Sequence, residues 1–241
     1  MNKKVSKGFY YLASYPRSGN TWCRYFLKEI MRLKKRNESQ EVFNDNSYCH
    51  PVNLNNNLGS GLTIIRRSWL DEQLGIDSSD LSFNEIDSIK PLLSLDTSKD
   101  EITIYKVHDA YFNEEKKLIP RNGCKGVIYI LRDPRDVVIS LSNFYKWEFD
   151  KTINFLLDSK ASLCGSPQKG QRVLKQYLGT WSHHVKSWTE QNDLPVLVIR
   201  YEDMLVKSKN VFKKILDFIQ SKVDSKILKE SIMNSSFSCL K

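Results

Sequence analysis

Several things are scarce in this sequence, and each shortage excludes something. Gly (10) and Pro (7) are too few for a collagen-like or low-complexity chain. The five cysteines, Cys23, Cys49, Cys124, Cys164 and Cys239, are odd in number and widely spaced, with no CxxC pair. A disulfide scaffold or zinc ribbon needs close, paired spacing, so these read as reduced, buried thiols of a cytoplasmic protein. No metal-ligand spacing links the four histidines, and no metal is expected. No apolar run approaches about 18 residues, so no membrane span is expected. Met1 to Tyr11 starts basic but lacks the apolar stretch and small residues of a signal peptide. Gly-Lys-Ser/Thr does not occur, so there is no Walker A loop.

What is present is an ordinary globular composition with an excess of positive charge. A chain of 241 residues can bury a substantial core without metals or disulfides. Lys and Arg number 37 against 28 acids, a formal charge of +9. That balance favours an anionic partner without choosing among nucleic acid, acidic lipid, phosphorylated cofactor and anionic substrate.

Apolar runs at Phe9–Ala13, Gly126–Leu131 and Pro195–Ile199, with the β-branched Glu101–Val107, read as strands. Helical spacing follows Thr21, with Asn20 as its expected N-cap. It returns at Asp136–Trp147, Val173–Gln191, Asn210–Lys222 and Ser225–Met233, with short helices near Ser68–Leu74 and Phe83–Leu93. Asn44–Ser60 reads as a long loop. Strands alternating with helices predict an α/β fold, a central parallel sheet flanked by helices. With no repeat and no linker, residues 1–241 are expected to form one domain.

Four segments carry chemistry. Tyr15-Pro-Arg-Ser-Gly-Asn-Thr-Trp22 leaves a strand and opens a helix, where free N–H groups and the helix dipole attract anions. Arg132-Asp-Pro-Arg-Asp-Val-Val-Ile-Ser140 repeats that arrangement, so Arg132 and Ser140 can meet on one phosphate. Asp133 as a plain helix cap, with Arg132 or Arg135 paired to acids, is the bland reading of the same residues. Lys106-Val-His108 ends a strand, where residues i and i+2 share a face. His108 can take a proton near neutral pH, although a lone histidine is more often structural. His183 and His184 fall in a helix pattern and His50 in the Asn-rich loop. Tyr201-Glu-Asp-Met follows the last strand, where its acids cap a helix or hold Arg200.

Taken together in chain order, and with Ser235-Ser-Phe237 added, the segments resemble the sulfotransferases that use 3′-phosphoadenosine 5′-phosphosulfate (PAPS). The resemblance runs from about Phe9 to Leu240 and implies a P-loop-like fold. It implies that Arg17, Ser18, Gly19, Asn20 and Thr21 hold the 5′-phosphosulfate. Trp22 would stack on adenine with help from Tyr201 and Phe237, and Arg132 and Ser140 would bind the 3′-phosphate. His108 would accept the proton of a small-molecule acceptor, Lys106 would contact the sulfuryl group, and 3′-phosphoadenosine 5′-phosphate (PAP) would leave. Much of the cytosolic branch has Lys where this chain has Arg17. Arg stabilises the bridging oxygen by charge and does not protonate it. The family's Arg-Lys-Gly 3′-phosphate element does not follow Phe237, so weaker nucleotide affinity or substitution by Arg121, Lys125 or Arg172 is expected.

The acceptor carries a hydroxyl or an amine. Its pocket walls are expected from Phe43–Leu74, Tyr111, Phe112, Phe144, Tyr145 and Trp147, with Asn53–Asn57 suiting a polar acceptor. A P-loop kinase or NTPase, a nucleic-acid-binding module and a nucleotide-binding relative without turnover are the competing readings. The absent Walker lysine opposes the first, the absence of any zinc-finger or RNP-like signature the second, and the Lys106–His108 pair the third.

Overall fold

The run Phe9–Ser14 forms strand β1, and every residue of it is buried. The computed structural model describes residues 8–39, 67–95, 103–114, 116–164 and 173–236. The loop Asn44–Ser60, Arg172 and Phe237 lie outside them.

After β1 come α1 (Asn20–Ser39), α2 (Arg67–Leu74) and α3 (Phe83–Ile89), then β2 (Thr103–Val107), β3 (Phe112–Asn113), β4 (Lys116–Lys117) and β5 (Cys124–Leu131). Next are α4 (Pro134–Tyr145), α5 (Phe149–Leu157), β6 (Ser162–Leu163), β7 (Gln176–Tyr177) and α6 (Trp181–Thr189). The described chain closes with β8 (Val196–Arg200), α7 (Tyr201–Val206), α8 (Ser208–Phe218) and α9 (Ser225–Asn234).

Four strands make a parallel sheet in the order β2-β1-β5-β8. A parallel sheet is covered on both faces, which is why β1 and β5 are continuous apolar runs. Side chains alternate between those faces. Tyr10 and Leu12 of β1 point toward α1, α8 and α9, among Cys23, Phe26, Leu27, Phe212 and Ile227. Phe9, Tyr11 and Ala13 point the other way, toward Trp188 of α6. Phe26 and Phe212 stack with centroids 3.9 Å apart. Truncating either to Ala removes about 3–5 kcal/mol of stability.

Local chemistry sets the helix boundaries. Asp133 caps α4 by accepting from Arg135 N, and Pro134 occupies the first turn, where its missing N–H costs nothing. Lys146 ends that helix in the left-handed region at φ 58°. Two expectations need correction. The stretch Val173–Gln191 is not one helix: Gln176–Tyr177 pairs with Ser162–Leu163. Gly179 turns at φ 62°, and Thr180 then caps α6 by accepting from His183 N at 3.0 Å. Asn20 is the first residue of α1 and does not act as its cap. Its Nδ2 turns back to donate to Leu12 O (3.1 Å) and Ser14 Oγ (3.3 Å), tying the helix start to β1.

Candidate active site

The parallel strands end together, so β1, β5 and β8 deliver the Tyr15–Trp22, Arg132–Ser140 and Tyr201 segments to one edge of the sheet. Arg17 adopts φ 67°. Its Nε donates to Ser140 Oγ at 3.1 Å, and its guanidinium lies 4.6 Å from the Phe144 ring centre. Arg132 Nη1 donates to the Arg17 carbonyl at 2.8 Å, and Arg132 stacks over Tyr201 at 4.3 Å. The two arginines, Ser140 and Tyr201 therefore form one contiguous group, with Ser140 bonded to Arg17. Asp133 N donates to Glu202 at 3.0 Å, which ties β8 to β5. Glu202 also lies 3.6 Å from Arg200, so the acid holds Arg200 as expected, whereas neither α7 nor α8 has a side-chain cap.

Gly19 makes the close packing of this group feasible. Its φ is +101°, and a Cβ there would lie 2.5 Å from Tyr201 Cδ2. Ser18 and Asn20 are buried, whereas Thr21 is exposed. Trp22 is enclosed edge-on by Tyr201 and Phe212, at 6.3 and 5.7 Å. Ser18 Oγ, Asn20 Oδ1 and Arg132 Nε are shielded from water, with no hydrogen-bond partner among the described residues. Buried polar atoms are nearly always paired; Ser18 Oγ and Arg132 Nε are donors that fit an anionic ligand, whereas Asn20 Oδ1 can only accept. Among the described residues no carboxylate is hydrogen-bonded to Arg17 or Arg132.

His108 and Lys106 occupy the adjacent part of the edge. Lys106 pairs in register with Leu12 and so faces α1. His108 follows two residues later, and its Nδ1 lies 2.7 Å from Ser14 O. A carbonyl only accepts, so Nδ1 carries the proton and Nε2 keeps the lone pair. Burial pushes the His108 pKa well below 6.5, and the Lys106 charge pushes the same way. Burial and the Arg24 charge bring Lys106 down to about 8. The imidazole is thus neutral at physiological pH, with a cation beside it.

Residues the sequence reading passed over hold His108 in place. His184 Nε2 donates to His108 O at 3.0 Å, and Tyr129 OH donates to His184 Nδ1 at 2.9 Å. Burial lowers the His184 pKa to about 4. Asp109 Oδ1 accepts from Lys90 Nζ (3.2 Å) and Tyr177 N (3.0 Å), and Asp109 O accepts from Trp188. The Lys90–Asp109 pair is almost fully buried, at 1% and 0% exposure. Only the helical pattern of Trp181–Trp188 hinted at His184, and no local pattern signals Lys90, 19 residues from its acid.

Of the expected pocket walls, Tyr111 is core: it is 1% exposed and its OH donates to Asp193 at 2.6 Å. Phe112 packs on Tyr111 and His183. Phe144 and Tyr145 are exposed beside Arg17, and Trp147 stacks on Tyr145. Arg121 binds Asp193 at 3.3 Å and Lys125 lies against Gly8, so neither joins Arg132. No group of three or more potential metal ligands occurs among the described residues. Nor is any described helix long and apolar enough to cross a membrane.

A family model described as the sulfotransferase domain matches residues 10–241. The chain belongs to the sulfotransferase family. It is 31% identical over 128 residues to mouse sulfotransferase 1 family member D1, covering 50% of this chain and 39% of that one. It is 23% identical over 231 residues to luciferin sulfotransferase of Photinus pyralis, covering 95% of this chain and 56% of that one. The chain thus spans well under two thirds of the length of these relatives. A mouse sulfotransferase, SULT7A1, solved in complex with PAP, superposes with a TM-score of 0.52 at 20% identity, covering 98% of this chain and 66% of that one. Retinol dehydratase with retinol and PAP gives 0.54 at 19%, covering 97% and 66%. Both likenesses concern the fold.

Proposed function

We propose that this sulfotransferase moves the sulfuryl group of PAPS onto a hydroxyl or amine of a small-molecule acceptor. The observation that carries the reading is the tautomer of His108. With Nδ1 donating to Ser14 O, Nε2 is left as a base next to the loop that carries Ser18, whose Oγ is buried with no hydrogen-bond partner among the described residues. PAP in the two solved relatives supports the choice of nucleotide.

Each residue then has a role. Ser18, Gly19, Asn20 and Thr21 cradle the 5′-phosphosulfate, while Arg132 and Ser140 hold the 3′-phosphate. Trp22 and Tyr201, with Phe237, flank the base. His108 Nε2 removes the acceptor proton as the acceptor O–S or N–S bond forms and the sulfuryl–oxygen bond to the nucleotide breaks in line. Arg17 and Lys106 stabilise charge on the bridging oxygen and the sulfuryl oxygens, and fixed cations in a partly dry site do this well. Arg17 stays charged throughout. A sulfuryl group carries less charge than a phosphoryl group, so cationic side chains suffice for it and the proposal includes no metal. It takes residues 1–241 as one sulfotransferase domain and places it, as the family resemblance implies, in the cytoplasm.

The test is transfer of 35S from labelled PAPS to a panel of phenols, alcohols and amines. We expect labelled product, with turnover at least about a hundredfold lower in His108→Ala and PAP affinity unchanged. Near wild-type turnover in His108→Ala would remove the base assignment. PAP binding with no transfer to any acceptor would leave a nucleotide-binding relative without turnover, and binding of ATP with magnesium in place of PAP would favour a kinase.

A further inference from the structure

The charges at the sheet edge fall into two groups, and one member of the second, Arg24, has no part in holding the donor. Arg17 and Arg132 both act on Tyr201. Arg24, one turn into α1, acts instead on Lys106 and His108. The fold explains the separation. Leu12 packs against Cys23 and Leu27 of α1, and Lys106 is its registered neighbour on the same face of the sheet. The first turns of α1 and the end of β2 therefore share one cleft, and Arg24 enters it from the helix.

Among the described residues, no carboxylate is hydrogen-bonded to or ion-paired with Arg24 or Lys106. Arg24 is half-buried, and its Nε is shielded from water with no hydrogen-bond partner among the described residues. Burial lowers its pKa, with Tyr25 acting against that, and its charge in turn disfavours protonation of Lys106, His108 and Lys28. The nearby acid on α1, Glu29, is already engaged by Arg32 at 2.6 Å and Asn234 at 2.6 Å. A guanidinium withdrawn from water beside another cation is costly unless an anion joins it. Arg also presents a planar fork of donors that matches a carboxylate, phosphate or sulfate.

We propose that Arg24 is a specificity-determining residue that binds an anionic group on the acceptor, so that the preferred acceptor carries a carboxylate, phosphate or sulfate near its reacting hydroxyl or amine. The inference rests on the proposed sulfuryl transfer. It adds a substrate class, anionic acceptors, and a residue that the sequence alone places on an ordinary helix face.

The experiment uses PAP-saturated full-length protein and two probes of one shape, 4-hydroxybenzoate and its neutral amide, 4-hydroxybenzamide. Calorimetry is run on the wild type, Arg24→Gln and Arg24→Lys, with PAP affinity and apo melting temperature measured for each. The carboxylate should bind about tenfold to a hundredfold tighter than the amide, the range expected for a charge-assisted hydrogen bond. Arg24→Gln should abolish that preference and leave PAP affinity unchanged, while Arg24→Lys retains part of it. Equal binding of the two probes to the wild type would overturn the proposal. So would a preference that survives in Arg24→Gln, or a loss of PAP affinity in that variant, which would assign Arg24 to the donor. Failure of the wild type to bind PAP would instead refute the nucleotide reading on which the proposal rests.

Discussion

Replacing Gly19 with Ala should damage nucleotide binding far more than stability. Two effects meet at this position. The backbone sits at φ +101°, and forcing an L-residue into positive φ costs about 1–2 kcal/mol. The new Cβ would also lie 2.5 Å from Tyr201 Cδ2 and 3.1 Å from Cε2, so the ring must move. Arg132 stands 4.3 Å above that ring and would lose a contact worth about 0.5–1 kcal/mol. The sum, about 1.5–3 kcal/mol, falls on the loop that is proposed to hold the phosphosulfate. If the ligand must restore the wild-type loop, PAP affinity drops about tenfold to about 150-fold. The loop can relax without nucleotide, so the apo melting temperature should fall by no more than about 12 °C. Gly75→Ala is the control, with φ +68° and nothing within 4 Å of the added Cβ. It carries the backbone cost alone and should leave PAP affinity untouched. Calorimetry and thermal melting on both variants decide the matter. PAP binding by Gly19→Ala within about twofold of wild type would refute the reasoning.

Other consequences follow from the buried charges. Lys90→Met leaves Asp109 buried beside His108 without its cation, and urea unfolding should show a loss of about 3–5 kcal/mol; an unchanged midpoint would contradict the burial of the pair. The rate profile should be set by a neutral His108 and a charged Lys106. With His108 pushed well below 6.5, kcat/KM should hold steady as pH falls through 6.5. With Lys106 at about 8, it should decline above about pH 8, and Lys106→Arg should remove that decline. An acid limb at the ordinary histidine value, or no alkaline limb, would count against these assignments. Stability should also fall with acid. His184 has a folded pKa of about 4 against about 6.5 unfolded, so the unfolded chain binds more protons between these values. The stabilisation is full above about pH 6.5 and lost as pH falls through about 4, at most about 3 kcal/mol from this residue. Urea denaturation at two pH values tests it, and a flat response would contradict it.

Legibility in the sequence depended on whether a residue's role is local. β1 and β5 are buried on both faces, so their apolar runs betray them. The Arg17–Trp22 and Arg132–Ser140 segments are read from composition and position at strand ends, and they do meet. Phe149–Leu157 escaped notice as a helix because Phe149, Ile153 and Leu157 are exposed, which blurs an amphipathic pattern. Val173–Gln191 misled because its spacing continues past Gly179, where a positive φ breaks it. The role of Arg24 was invisible for a different reason. Periodicity puts it on a face of α1, and the register of Leu12 with Lys106, which sets Lys106 on the sheet face that α1 covers, has no signature in local spacing. His184 and Lys90 act across 76 and 19 residues, and no local pattern encodes such pairings.

The central claim is that the cluster of Arg17, Ser18, Arg132 and Tyr201 is a site for the donor nucleotide. Calorimetric titration of the full chain with PAP, against ATP plus magnesium, tests it most directly. A ligand that binds only the native state at a hundredfold excess over its Kd adds about 2.7 kcal/mol of stability, so a parallel melt checks the result. We predict saturable PAP binding that Arg132→Ala weakens, and little response to ATP. No PAP binding, or binding of ATP with magnesium alone, would contradict the account.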